Sequence, residues 1–206
     1  MARYTGPKNR LARREGIDLG LKTVGSKAHV SMLRRLSIVP GAHGVKGRRK
    51  ISDYGHQLRE KQKVKRMYGL LERQFRKIFE RAKKWRGNTG EKLLEFMERR
   101  LDNTVYRLGF APTRGLSRQM VTHGHVLVNG KKLSIPSALV SVSDVITLTT
   151  KGLTIPAVQK VLEDATYKPS EWLARKGPAG KIVRLPHRSD VHEDINEKLI
   201  VEYYSR

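Results

Sequence analysis

The sequence predicts an α+β protein with a basic N-terminal extension, a mostly helical domain, and a compact unit of two helices and a small antiparallel sheet. Three observations support this. Positive charge is concentrated in the first half of the chain. Apolar residues recur at helical spacing between positions 64 and 85, and a helix–helix–hairpin–strand order follows between 101 and 148. The predicted segments are residues 1–45, 46–95, 96–160 and 161–206.

The charge of the chain indicates a polyanionic partner. Its 206 residues carry a formal net charge of +24, and residues 1–50 hold 13 Lys and Arg against 2 Asp and Glu. Residues 51–100 hold 15 basic side chains against 7 acidic ones, so most of the excess lies in the first half. Nucleic acid is the first candidate partner, an anionic membrane surface is the second, and a merely solvated basic surface is the third interpretation.

Composition also excludes several classes of protein. No apolar run approaches the roughly 18 residues of a membrane-spanning helix, and the N-terminus lacks the apolar segment of a secretory signal. The absence of cysteine excludes disulfides, thiolate nucleophiles and cysteine zinc sites. His123 and His125 have no carboxylate nearby at ligand spacing, so we expect no metal and no cofactor. The scattered Ser, His and Asp residues form no catalytic triad pattern.

Residues 1–45 have the composition of an extension, because glycines and prolines interrupt them repeatedly. Short helices are expected near 8–14 and 28–36. The Gly-rich segment 40–50 lacks the spacing of a phosphate-binding P-loop. We expect its backbone to lie close to a phosphate chain, with cationic contacts from Arg48, Arg49 and Lys50.

The apolar spacing predicts a helix over residues 52–85. Apolar residues recur at steps of 3 or 4 from Val64 to Trp85, and Trp85 is interpreted as a packing residue. Basic residues fill the remaining positions, where the alternative to phosphate contact is simple solvation. The phosphate contacts expected from this segment are Lys61, Lys63, Lys65, Arg66 and Arg73.

A basic, hydrogen-bonding surface is predicted where the second helix of the 99–148 unit meets a hairpin. Arg114 and Arg118 lie four residues apart and share one helix face, for which plain solvation is the alternative interpretation. Asp102 is expected to be ion-paired and to orient the neighbouring arginines. An Asn-Gly pair predicts the hairpin turn. The contacts expected from this unit are Arg99, Arg100, Thr113, Arg114, Ser117, Arg118, Gln119, His123, His125, Asn129, Lys131 and Lys132.

The remaining residues, 151–206, are predicted to be less regular. A helix is expected near 155–164, and prolines and glycines predict loop between 169 and 186. The apolar run 199–204 needs a surface to pack on, and the amphipathic helix within 60–85 offers one.

Several of these motifs resemble a known family. Residues 99–111, 118–130, 135–137 and 143–144 are similar to the S4 RNA-binding module, and four further segments resemble bacterial small-subunit ribosomal proteins of the S4 family. Those segments are residues 1–7, 52–64, 68–75 and 199–206. The resemblance implies the module inserted into a helical domain, with the C-terminal segment packing back on that domain. Asn9, Ala12, Ser26 and Ser31 stand where many members carry zinc-binding cysteines, so the chain resembles the zinc-free form.

The resemblance also implies a function. Family members bind the 5′ domain of 16S rRNA, nucleate assembly of the 30S subunit and contribute to translational accuracy beside protein S5. Some also bind their own messenger. The expected protein is cytoplasmic, within the ribosome, neither bound to membranes nor a homo-oligomer. Arg100-Leu101-Asp102 also resembles a string in pseudouridine synthases. Because too few residues lie outside the module for such a catalytic domain, we expect no enzyme.

Overall fold

A computed structural model describes residues 4–47, 50–164 and 167–205, which fall into two compact units. The first unit is Met1–Gly90 with Glu193–Arg206, and the second is Glu91–His192. The helices are α1 (Lys8–Glu15), α2 (Lys27–Leu33), α3 (Asp53–Met67), α4 (Glu72–Lys83), α5 (Thr89–Glu98), α6 (Leu101–Arg107), α7 (Arg114–Thr122), α8 (Thr150–Leu153), α9 (Pro156–Leu162) and α10 (Glu197–Ser205). The strands are β1 (Val126–Val128), β2 (Lys131–Lys132), β3 (Val145–Leu148), β4 (Leu173–Lys176) and β5 (Ala179–Ile182).

The single helix predicted over 52–85 is wrong, because the chain forms two helices there, α3 and α4. Ser52 caps α3, its hydroxyl accepting a hydrogen bond from the Gly55 amide at 3.2 Å. The helical path ends at Gly69, whose φ of +65° lies in the left-handed region that glycine adopts without strain. The helical spacing of apolar residues continues beyond the break, because α4 also buries one stripe of apolar side chains. This stripe contains Phe75 and Phe79.

The C-terminal helix α10 packs against α3, on the surface expected for the apolar run 199–204. Ile200 is fully buried. The Tyr204 ring stacks on Phe79 with 4.6 Å between centroids, and Tyr203 lies 5.7 Å from Tyr54. Burial and aromatic contact therefore hold the end of the chain in the first unit.

The extension is organised by hydrogen bonds and packing around α1 and α2, the two short helices predicted near 8–14 and 28–36. The His29 ring pairs with the Asp18 carboxylate, with 2.7 Å between Nε2 and Oδ2. The Arg13 guanidinium donates to the Ile38 carbonyl at 2.9 Å. Ala12 is buried, and the Ser26 side chain caps α2.

The second unit packs α6 and α7 against one face of a five-stranded sheet in the order β2-β1-β3-β5-β4. All pairings are antiparallel. The helical spacing predicted from 93 to 108 is interrupted at Arg100, whose backbone is extended and bridges to Leu139. This break separates α5 from α6. The core includes Leu101, Val105 and Ile146, all fully buried.

The loop predicted between 169 and 186 is wrong, because β4 and β5 form a hairpin there. Gly177 and Pro178 form its turn, and β5 joins the sheet through the pairing of Val145 with Lys181. Trp172, just before β4, is fully buried in the core. The second unit extends to His192 and so includes this hairpin. The proline and glycine composition resembles a loop because the strands themselves are only four residues long.

Candidate nucleic-acid interface

Asp102 is the centre of a buried ion-pair network at the start of α6. Arg100 donates two hydrogen bonds to its carboxylate, from Nε to Oδ1 at 3.0 Å and from Nη2 to Oδ2 at 2.7 Å. Arg118 reaches the same Oδ2 from α7 at 3.3 Å. The expectation that Asp102 is an ion-paired carboxylate is confirmed, and a bidentate pair fixes both side chains in one geometry.

A second cluster lies beside it. The Asn103 side chain donates to the Glu98 carboxylate at 2.8 Å and accepts from Arg114 Nε at 2.8 Å. The Arg107 guanidinium forms a bidentate pair with Glu98, with distances of 2.9 and 2.8 Å. The Arg114 guanidinium also lies 4.6 Å from the Tyr106 ring centroid. Both arginines of α7, Arg114 and Arg118, therefore form hydrogen bonds with side chains of α6.

These networks alter the interpretation of the basic face predicted on α7. Arg114 and Arg118 do not lie on a solvated helix face, because both are buried against α6. Spacing placed them correctly on one face, but that face is the inner one. Other expected contacts have structural partners as well. These are Arg100, paired with Asp102; Arg99, bonded to Glu95 and the Val140 carbonyl; Thr113, which caps α7; and Ser117, bonded to the Thr113 carbonyl.

The exposed polar groups of this unit gather where α7 ends and the β1–β2 hairpin begins. Gln119 and His123 are exposed and lie four residues apart, so they share one helix face. The His125 ring, half-buried, lies 6.1 Å from the His123 ring. The Lys132 side chain crosses this junction, since its Cε would come within 1.9 Å of a methyl group placed on Gly124. We call Gln119, His123, His125, Lys131 and Lys132 the α7–hairpin surface.

Asn129 was also expected to contact RNA, but its side chain holds the hairpin turn. Its amide nitrogen donates to the Asp144 carboxylate and its oxygen accepts from the Val145 amide, both at 2.9 Å. The residue has a φ of +50°, which asparagine tolerates better than most side chains. The hairpin predicted from the Asn-Gly pair is confirmed.

The basic residues expected on α3 are largely paired within the first unit. Lys61, only 4% exposed, and Lys65 bind the Glu72 carboxylate at 2.7 and 2.8 Å. Lys63 binds Glu60 at 2.7 Å, and Arg66 binds Glu15. Of the other expected contacts in this unit, Lys50 and Arg73 are exposed, whereas Arg48 and Arg49 lie outside the described residues.

Glu72 joins α4 to α3 and α10 through the same carboxylate. Burial disfavours its charge, but hydrogen bonds from Lys61, Lys65 and Tyr204 outweigh burial and lower the Glu72 pKa to about 2. The Tyr204 hydroxyl donates to Oε1 at 2.8 Å. Burial, together with this bond to a carboxylate, raises the Tyr204 pKa.

The solvent face of α4 carries several of the basic residues that fill the positions between the apolar ones, for which phosphate contact or solvation is expected from the sequence. It lies opposite the buried stripe. Its exposed members are Arg73, Arg76, Lys77, Arg81, Lys83 and Lys84. Trp85 follows and is 59% exposed, so its interpretation as a packing residue is wrong. Because α4 ends at Lys83, Trp85 lies beyond the helix and does not belong to its buried stripe.

The described ranges, 4–47, 50–164 and 167–205, contain neither a cluster of metal-ligating side chains nor a helix that could cross a membrane. Within them, no group of three or more His, Cys, Asp or Glu side chains is arranged to hold a metal ion. None of the helices in those ranges combines the length and apolarity of a membrane span.

Two family models match this chain. Residues 3–98 match the family model described as ribosomal protein S4/S9 N-terminal domain, and residues 99–146 match the S4 domain. Small ribosomal subunit protein uS4 of Cupriavidus pinatubonensis is 49% identical over 211 residues, covering 100% of both chains. The uS4 protein of Citrifermentans bemidjiense is 49% identical and uS4A of Clostridium botulinum is 50% identical, again with full coverage. With such identity over its whole length, the chain belongs to the uS4 family of small-ribosomal-subunit proteins and is not an enzyme.

Proposed function

We propose that this protein binds 16S rRNA directly as a structural component of the small ribosomal subunit, in the cytoplasm. The observation that carries the proposal is the α7–hairpin surface, where Lys131 and Lys132 stand beside exposed Gln119 and His123. Lysines neutralise phosphates, while amide and imidazole groups hydrogen-bond to or stack on splayed bases.

The buried networks support this surface indirectly. Because Asp102 and Asn103 hold Arg118 and Arg114, α7 has a fixed position relative to α6. The exposed residues of α7 and the hairpin then present their side chains from a rigid base. A preorganised surface loses less conformational entropy on binding.

The finer parts of the proposal rest on family membership. They are recognition of the 5′ domain of the rRNA, nucleation of 30S assembly, and a contribution to accuracy beside protein S5. Binding to its own messenger would use the same α7–hairpin surface, because the ligand chemistry is the same.

The test is binding of the purified full chain to 5′-domain rRNA, with a duplex RNA of equal length as competitor. If roughly 6–10 phosphates are contacted, affinity falls about 10³–10⁵-fold between 50 and 200 mM salt. The proposal predicts that preference for the 5′ domain survives at the higher salt. Equal affinity for both RNAs, lost together as salt rises, would reduce the protein to an unspecific polycation and contradict the proposal.

A further inference from the structure

The chain has two tryptophans, and their environments are opposite. Trp172 is fully buried in the core of the second unit. Trp85 is 59% exposed just beyond α4, in a chain in which aromatic residues make up only 6%. Water solvates the large apolar surface of an indole poorly, and tryptophan is enriched at contact surfaces, where its ring is covered.

The backbone at Trp85 is held in place. Its amide donates to the carbonyl of Ala82 at 3.1 Å, which continues the last turn of α4. Ala82 is itself fully buried, so this turn is anchored in the first unit. The backbone that carries the exposed indole is therefore fixed at the helix end.

Exposed cations line one side of α4, and Trp85 follows the C-terminal end of this helix. Arg73, Lys77 and Lys84 lie at steps of 4 and 7, on the side opposite the buried Phe75 and Phe79. We call these three residues the α4 ridge. It spans about 16 Å at the rise of an α-helix. In the described part of the chain all three are exposed, and no hydrogen bond or ion pair engages them.

The α4 ridge differs in this respect from the basic residues of α3. Lys61 and Lys65 form ion pairs with Glu72. Arg66 forms an ion pair with Glu15. Among residues 4–47, 50–164 and 167–205 the ridge charges have no such partner, so they remain available to an external anion. An RNA strand offers both chemistries that the ridge and the indole require, phosphates for the cations and π-faces for the ring.

We propose that Trp85 is a stacking site for an unpaired RNA base whose neighbouring phosphates lie along the α4 ridge. The proposal rests on the rRNA-binding function proposed above and assigns a contact outside the α7–hairpin surface. Stacking on an aromatic side chain tolerates any base, so this contact adds affinity and fixes the position of a strand rather than reading its sequence.

The experiment uses the full chain, 5′-domain rRNA and the fluorescence of its tryptophans. Because Trp172 is buried, RNA-dependent quenching reports on Trp85. We expect binding to quench this emission and to protect it from acrylamide. A short single-stranded RNA should quench it as well, whereas a duplex of equal length should not. Trp85→Leu should raise Kd by about 5- to 150-fold while leaving the salt dependence unchanged.

Three control variants separate stacking from charge and from general apolarity. Lys77→Ala should weaken binding and reduce the slope of log affinity against log salt by about 1. Trp85→Phe, which keeps a smaller ring, should retain part of the affinity. Val24→Ala removes another exposed apolar side chain, 79% exposed, and should leave Kd unchanged.

The outcomes distinguish this site from the proposed function. If the unmodified chain prefers 5′-domain rRNA but Trp85→Leu binds it with unchanged Kd, the stacking site is overturned and the proposed function stands. If the unmodified chain shows no preference over duplex RNA, both proposals fail. Circular dichroism of Trp85→Leu should match that of the unmodified chain, because an exposed side chain contributes little to folding.

Discussion

The Arg118 guanidinium donates a hydrogen bond to the Asp102 carboxylate across the α6–α7 pair, with 3.3 Å between Nη1 and Oδ2. Both side chains are less than a tenth exposed. A charge pair at this depth is costly to break, since the remaining charge has little water around it. Arg118 therefore helps to fix the position of α7 relative to α6 through its contact with Asp102.

Arg118→Ala should lower the free energy of unfolding by about 1.5–3 kcal/mol, the range for losing a hydrogen bond to a charged group. The loss should not be larger, because Arg100 still neutralises Asp102 through its bidentate pair. Urea unfolding followed by circular dichroism measures the change. Unchanged stability combined with weaker rRNA binding would place Arg118 on the RNA-binding surface instead.

The adjacent residue provides the matched control. Gln119 is exposed on α7, so Gln119→Ala should change stability by no more than about 0.5 kcal/mol. The same variant should weaken rRNA binding, because Gln119 belongs to the α7–hairpin surface. Arg118→Ala is thus expected to lower the free energy of unfolding, whereas Gln119→Ala is expected to lower the affinity for rRNA.

The sequence predicted elements and composition better than it predicted the direction of individual side chains. The α+β class and the relationship to S4 proteins are confirmed, because periodicity, turn residues and long motifs are local properties. The burial of Arg114 was missed because its partner Asn103 lies 11 residues away on another helix. Spacing shows which residues share a face, but tertiary packing decides whether that face is turned inward.

The hairpin between β4 and β5 was missed for a different reason. Its strands have four residues each, and Gly180 within β5 weakens the strand pattern. Pairing with β3 stabilises β5, and such non-local pairing leaves little trace in the local sequence. The ion pairs of Lys61 and Arg66 could not be predicted from the sequence either, because Glu72 and Glu15 come close to them only in the folded chain.

Asn129→Ala should destabilise the protein without a direct effect on RNA contacts. The variant loses the bonds to Asp144 and to the Val145 amide, and it places alanine at a φ of +50°. We expect a loss of about 1–3 kcal/mol in the free energy of unfolding. Asn129→Gly should cost less, because glycine accepts the backbone angle even though both bonds are gone. Thermal unfolding of both variants tests this order, and a more stable alanine variant would contradict it.

Lys131→Ala and Lys132→Ala should weaken rRNA binding and leave unfolding unchanged. Both lysines are exposed on β2, so each removes one phosphate contact and should lower the slope of log affinity against log salt by about 1. The control is Lys63→Ala, because Lys63 is already paired with Glu60. That variant should change the slope less. A larger slope change for Lys63 than for either hairpin lysine would argue that α3, and not the hairpin, faces the phosphates.

Acid should unfold the first unit partly through Glu72. Its pKa is lowered from 4.5 to about 2 in the folded protein, so the unfolded chain binds the proton more readily. The stabilisation is therefore complete above pH 4.5 and is lost as the pH falls towards about 2. Glu72→Gln removes this contribution and leaves Lys61, 4% exposed, without its carboxylate.

The variant should accordingly be less stable than the unmodified chain at neutral pH, and the difference should shrink as the pH falls through this interval. Urea unfolding at several pH values between the two pKa values measures it. Glu163→Gln, at an exposed carboxylate beyond α9, controls for the general loss of negative charge in a protein of net charge +24. A pH dependence of stability that is equally steep in Glu72→Gln would show that other carboxylates carry the acid sensitivity, and that the bonds from Lys61, Lys65 and Tyr204 contribute little to folding.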